Sequence, residues 1–117
     1  MSKIIEDVLT TLGGSVEDIE YSKDVKMYVN SKIAKLKQNG CSALVDGFRI
    51  DEDTEWSDIF TCSSTITYLI INYIHDSVRY SFDPPSNGNV LKALKEELTE
   101  LEWRIKNDPE YGDVDST

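Results

Sequence analysis

One histidine and two cysteines in a chain of 117 residues leave almost no material for metal or redox chemistry. His75 has no second imidazole with which to form a ligand set or a relay. Its neighbour Asp76, one step along a helix, points about 100° away and does not orient the ring, so a structural histidine is expected. Cys41 and Cys62 are too far apart to act as one chelating element and read as idle thiols. Glycine and proline are scarce, six and three, and neither phosphate-cradling glycine motif nor a nucleophile elbow around a serine occurs. No catalytic residue, cofactor site or metal site is expected, and an enzyme is the last reading of this chain.

Two further scarcities exclude partners. The longest apolar-rich run, Ile66 to Ile74, is broken by Thr67 and Asn72 and is about half the ~20 residues needed to cross a bilayer. Glu6 and Asp7 interrupt the first apolar turn, where a secretory leader would need an unbroken hydrophobic stretch, so an intracellular site of synthesis is expected. Bases are outnumbered by acids, 12 to 22, for a net charge of -10, which argues against gripping phosphate backbones. The bases that exist are concentrated: Lys23, Lys26, Lys32, Lys35 and Lys37 face a single acid, Asp24, between residues 22 and 38. That asymmetry suits packing of copies against one another.

What the chain does have is helical periodicity. Ile4, Ile5, Val8, Leu9 and Leu12 recur at helical spacing, with Ser2 as a possible cap and Gly13-Gly14 as the stop. After an acidic linker, Tyr21, Val25, Tyr28, Val29, Ile33 and Leu36 fall within an arc of roughly 120°, and Asn39-Gly40 ends that second helix. The period disappears from Cys41 to Asp58, where Asp46-Gly47 between short apolar pairs carries the signature of a tight hairpin turn. Asp51, Asp53 and Glu55 mimic the first ligands of a calcium loop, but Trp56 and Cys62 stand where that loop needs glycine and glutamate.

A third helix, capped by Ser63, Ser64 or Thr65, runs through Ile66, Leu69, Ile70, Tyr73, Ile74 and Val78 to about Ser81. Tyr68 and Ile71 add apolar surface outside its stripe, so this element is expected to be the most enclosed. Asp83-Pro84-Pro85 ends it. A fourth helix, from about Val90 to Asn107, carries the narrow seam Leu91, Leu94, Leu98, Leu101 and Ile105. The expected fold is all-α: a small four-helix bundle over residues 1–107, with a loop or short β-hairpin between helices two and three. Residues 108–117, with four acids and no base, are expected to form a flexible tail.

One residue breaks this pattern. With the leucine seam inward, Trp103 lies roughly 170° away, on a face shared with Lys92, Glu96, Thr99, Glu100 and Asn107. Either another element of the same protomer covers it, or it anchors a contact with another molecule, as tryptophan often does. Trp56, in an acidic loop, is a second such residue, equally open to a place in the core.

Phe82-Asp83-Pro84-Pro85, then Val90-Leu91-Lys92-Ala93-Leu94 and Glu100-Leu101-Glu102-Trp103-Arg104-Ile105, resemble the head-to-tail connector proteins, also called head-completion or adaptor proteins, of tailed phages infecting Gram-positive bacteria. Tyr28-Val29-Asn30-Ser31 with Leu36 to Gly40, and Gly47-Phe48 with Glu55-Trp56-Ser57-Asp58-Ile59-Phe60, agree. The resemblance covers about residues 2 to 107 in broken form; a longer apolar third helix and the acidic tail depart from it. It implies a structural virion protein at the head–tail interface, forming a homo-oligomeric ring of about twelve copies. One face of the ring would dock on the portal and the other receive a tail-proximal connector or stopper protein, while DNA passes through the channel without sequence-specific binding. The residues expected to meet partners are Trp103, Glu96, Glu100, Trp56, Lys26 and Lys35. A small helical nucleic-acid-binding regulator, using the Lys23 to Lys37 helix, and a generic helical protein-interaction adaptor are the alternatives.

Overall fold

Helix boundaries follow from where backbone N–H groups find partners. The computed structural model describes residues 3–13, 19–38, 41, 43–45, 49–61 and 65–107. It contains four helices: α1 (Ile4–Thr11), α2 (Ile19–Gln38), α3 (Thr65–Phe82) and α4 (Gly88–Lys106), with one 3-10 turn at Trp56–Asp58. The fold is all-α. Among the described residues the only extended pairings are isolated bridges, Lys3 with Glu55 and Leu44 with Phe60.

Lys3, not a hydroxyl side chain, occupies the cap position of α1 and makes no capping bond; the expected cap, Ser2, lies outside the described residues. The orphan N–H of Ile4 instead donates to the Thr54 carbonyl at 2.9 Å, so a distant loop supplies what a local cap would. Gly13, at φ +78, closes the helix in the left-handed conformation that glycine adopts without steric penalty. At the start of α4 the Asn87 side chain accepts from the backbone of Asn89 and Val90, two residues earlier than the apolar periodicity alone indicates.

The stretch between α2 and α3 is held by side chains acting as backbone. Asn30 on α2 donates to the Ile50 carbonyl at 3.2 Å and accepts from the Ile50 N–H at 2.8 Å. Lys37 donates to the carbonyls of Cys41 and Leu44. Val45 N–H donates to the Ile59 carbonyl and Thr61 N–H to the Ala43 carbonyl, each at 2.8 Å. The hairpin turn expected at Asp46-Gly47 falls on residues outside those described; Ala43 and Val45 have their backbone partners at Thr61 and Ile59.

The acids expected to imitate a calcium loop serve this stretch too. Asp51 Oδ1 accepts from the Asp53 N–H and the Thr54 hydroxyl, which hold its carboxyl below the usual range. Asp53 lies 3.5 Å from Lys3, and Glu55 and Asp58 cap each other's backbone.

All three other helices pack on α3, and α4 packs chiefly there. Ile66, Leu69, Ile70, Tyr73, Ile74 and Val78 of α3 are buried against Ile4, Ile5, Val8 and Leu9 of α1 and Val25, Val29 and Ile33 of α2. Each fully buried isoleucine among them contributes ~1.5–3 kcal/mol over its exposed state. The enclosure of α3 is less complete than its composition predicts. Tyr68 is 61% exposed, because no described element covers that side of its first turns. On α4, Leu94, Leu101 and Ile105 are buried and Leu91 and Leu98 half-buried, as a single seam requires.

Replacing Asn30 with alanine leaves both polar groups of the buried residue Ile50 without their partner. A loss of about 1–3 kcal/mol in a urea titration is expected, and an unchanged midpoint would show that the clamp is dispensable.

Candidate interaction surface

Helix α4 touches the bundle along one seam, which leaves its opposite face to solvent. Trp103 sits there, 65% exposed, with Lys92, Glu96, Thr99, Glu100 and Asn107 exposed around it. The backbone beneath is fixed: Asn107 donates to the Trp103 carbonyl through both its side chain, at 2.8 Å, and its N–H, at 3.0 Å. Arg104 and Lys106 in the last turn complement the helix dipole. The indole is thus carried by a well-terminated helix and largely exposed beside the described elements of its own protomer, a geometry that offers a large apolar contact at little ordering cost.

The other tryptophan has the opposite environment. Trp56 is 3% exposed, and its Nε1 donates to Asp7 Oδ2 at 2.9 Å. Its ring lies 5.7 Å from that of His75, whose Nδ1 is 2.8 Å from the Thr11 hydroxyl. Burial pushes the His75 pKa down, with the Asp7 charge opposing, so the ring stays neutral and structural. The expectation that Trp56 meets a partner is therefore corrected: Asp7 on α1 takes its N–H and the core takes its rings.

The lysines of α2 divide. Lys23 and Lys35 are exposed, while three others have partners within the protomer. Lys26 pairs with Glu52 at 2.9 Å, Lys32 lies over the rings of Tyr28 and Tyr73, and Lys37 holds the two carbonyls described above. Among the described residues no hydrogen bond or ion pair joins Lys26 or Lys35 to Trp103, Glu96 or Glu100, although Lys35 lines a small cleft with Glu102 and Lys106 at the end of α4. No group of three or more metal-ligating side chains forms among the described residues, and no described helix is long and apolar enough to cross a membrane.

Two features were not visible in the periodicity. One is a groove of about 880 Å³ beside α2, lined by Lys26, Met27, Ile33, Ala34, Lys37, Arg49 and Ile50 among others. Its apolar wall includes Met27, 64% exposed, and only the fold brings Arg49 and Ile50 to it. The other is an acid pair across the α3–α4 seam. Asp76 Oδ2 is sealed from solvent with no donor, and the group it meets is another carboxylate, Glu97. Nearby, the Tyr73 hydroxyl donates to Glu102 Oε2 at 2.9 Å, and burial together with that carboxylate pushes the phenol well above its ordinary pKa.

Burial first, and Glu97 second, push the Asp76 pKa up to about 6, with Arg79 pulling weakly downward. A raised acid binds its proton more tightly in the folded state. Stability therefore falls as pH rises from the ordinary aspartate value towards 6, and the full penalty persists above it. Asp76 is only half-buried, which screens the penalty to on the order of 1 kcal/mol. Asp76→Asn should raise Tm near neutral pH by about 4 °C and flatten the loss of stability between pH 4 and about 6.5. Thermal melts of the two proteins across that window check it, and parallel curves would contradict it.

A family model described as phage connector protein matches residues 4–112. No curated protein and no solved structure matches the chain.

Proposed function

The chain belongs to the phage connector protein family, and from that membership we propose that it is the head-to-tail connector of a phage of Gram-positive bacteria. Copies close into a ring of about twelve, by a head-to-tail contact repeated around an axis. The ring docks on the portal with one face and receives a tail-proximal connector or stopper with the other, at the head–tail interface of the virion. DNA passes through the central channel. The net charge of -10 supports such a lining, since a surface of like sign lets the duplex slide without gripping it. Residues 1–107 work as one helical domain and residues 108–117 as an acidic, flexible extension.

The observation that carries this reading is Trp103, left 65% exposed on the outer face of a helix anchored by its other side. A tryptophan anchor contributes about 2 kcal/mol or more to an interface, which is roughly thirtyfold in an association constant. The contact surfaces are then the Trp103, Glu96 and Glu100 face of one molecule and, for charge pairing between copies, the exposed bases of α2, Lys35 foremost. Lys26 contributes through its paired position beside Glu52. The nucleic-acid-binding alternative loses weight because Lys26, Lys32 and Lys37 are already engaged within the protomer.

Two outcomes are expected. Trp103→Ala leaves the Tm of the isolated protomer nearly unchanged and abolishes ring formation with the portal, read by electron microscopy and sedimentation; persisting rings with a large drop in Tm would reverse the assignment. Assembly of the native chain weakens as salt is raised, because exposed charge pairs are screened, and salt-insensitive sedimentation would remove the lysines from the contact.

A further inference from the structure

The open side of α3 and the free end of α4 lie together. Tyr73 of α3 donates to Glu102 of α4, and Asp76 of α3 meets Glu97 of α4, so the two helices run antiparallel. Five residues back from Tyr73 is Tyr68, and five on from Glu102 is Asn107, which sets the end of α4 level with that exposed ring. The same contacts fix the side. At about 100° per residue along α3, Tyr68 is turned about 80° from Asp76 and about 140° from Tyr73, so it lies on the Asp76–Glu97 flank of the seam. Arg104 follows Glu97 by two helical turns, shares a hollow with it and is exposed. The opposite flank, with Glu102, faces Lys35 and Leu36 of α2.

We infer that residues 108–112 of the same chain fold back over Tyr68, with Tyr111 against its ring and the acids beside Arg104. The segment reads Asp108-Pro109-Glu110-Tyr111-Gly112. Pro109 cannot continue the helical hydrogen bonding, so the chain turns off the axis of α4 beside the open side of α3. Packed helix axes lie about 8–10 Å apart, and the four residues from Asn107 to Tyr111 span up to roughly 14 Å, enough to cross from one helix to the other. Two tyrosine rings then pair and cover apolar area that neither covers alone. Asp108 and Glu110 meet Arg104 and the first turn of α3, which starts at Thr65 and holds no acid of its own, a helix end that favours negative charge. The family match agrees, since it runs to residue 112, past Lys106 where α4 ends. The flexible part of the extension begins after Gly112. Residues 14–18 are a poorer cover, because α1 ends at Thr11 beside His75, two turns further along α3. This inference stands apart from ring formation and holds for an isolated protomer.

Nitration of the full chain with tetranitromethane, read by mass spectrometry of its peptides, tests it, with Tyr80 as the internal standard. Left open, Tyr68 at 61% exposure reacts ahead of Tyr80 at 36%. With the segment in place, Tyr68 is expected to react severalfold more slowly than Tyr80. Tyr111→Ser, outside the helical domain, should reverse that order, and Arg104→Glu should raise the reactivity of Tyr68 by a smaller factor. A native Tyr68 that reacts ahead of Tyr80, or one equally protected after Tyr111→Ser, would overturn the assignment. Protection that disappears on tenfold dilution would give this side of α3 to another copy and overturn it equally.

Discussion

Everything in this molecule leans on the broad apolar surface of α3. Its buried residues Ile66, Ile70, Ile74 and Val78 share one core with α1 and α2, and Leu101 and Ile105 bring α4 into the same core. Remove that surface and the other helices have too little to bury against one another to offset their ordering. The polar network of the structure is arranged around the same element. Tyr28 donates to the Ser77 carbonyl and accepts from Ser81, His75 meets Thr11, and Tyr73 meets Glu102. Each of these ties one neighbouring helix to α3 by a polar contact beside the apolar packing.

The helices were legible because their signals are local. A period of three and four, a glycine able to adopt positive φ at residue 13, and two prolines after Asp83 specify starts and stops without reference to the rest of the chain. The inward turn of the leucine seam, and with it the outward turn of Trp103, followed from the same arithmetic. What escaped is non-local. Nothing in the neighbourhood of Trp56 distinguishes core from surface, because its burial is decided by Asp7, 49 positions earlier. The same holds for Asn30 with Ile50 and Lys26 with Glu52. The exposure of Tyr68 was missed for a related reason: composition reveals that a helix is apolar on several sides, but not how many neighbours arrive to cover them.

The lysines of α2 show how a charge cluster is misread when counted and not placed. Five bases in one helix look like a single surface. In the fold three of them work inward, over aromatic rings, on loop carbonyls and against Glu52, their long apolar stems covering hydrophobic area while the ammonium groups find acceptors. The charge left for other molecules is smaller than the sequence count and rests with the exposed Lys23 and Lys35. An acidic chain of a phage connector family, in which much of the positive charge is spent internally, has little with which to hold a duplex.

The single seam of α4 separates two jobs that most small proteins must reconcile. The apolar residues that keep the helix attached lie on one side, and Trp103 with its polar neighbours lies on the other. Substitutions around Trp103 are therefore expected to cost little folding stability, and those along the leucine row to cost much more. Such a division lets the outer face drift to match a changing counterpart while the scaffold beneath it stays as it is.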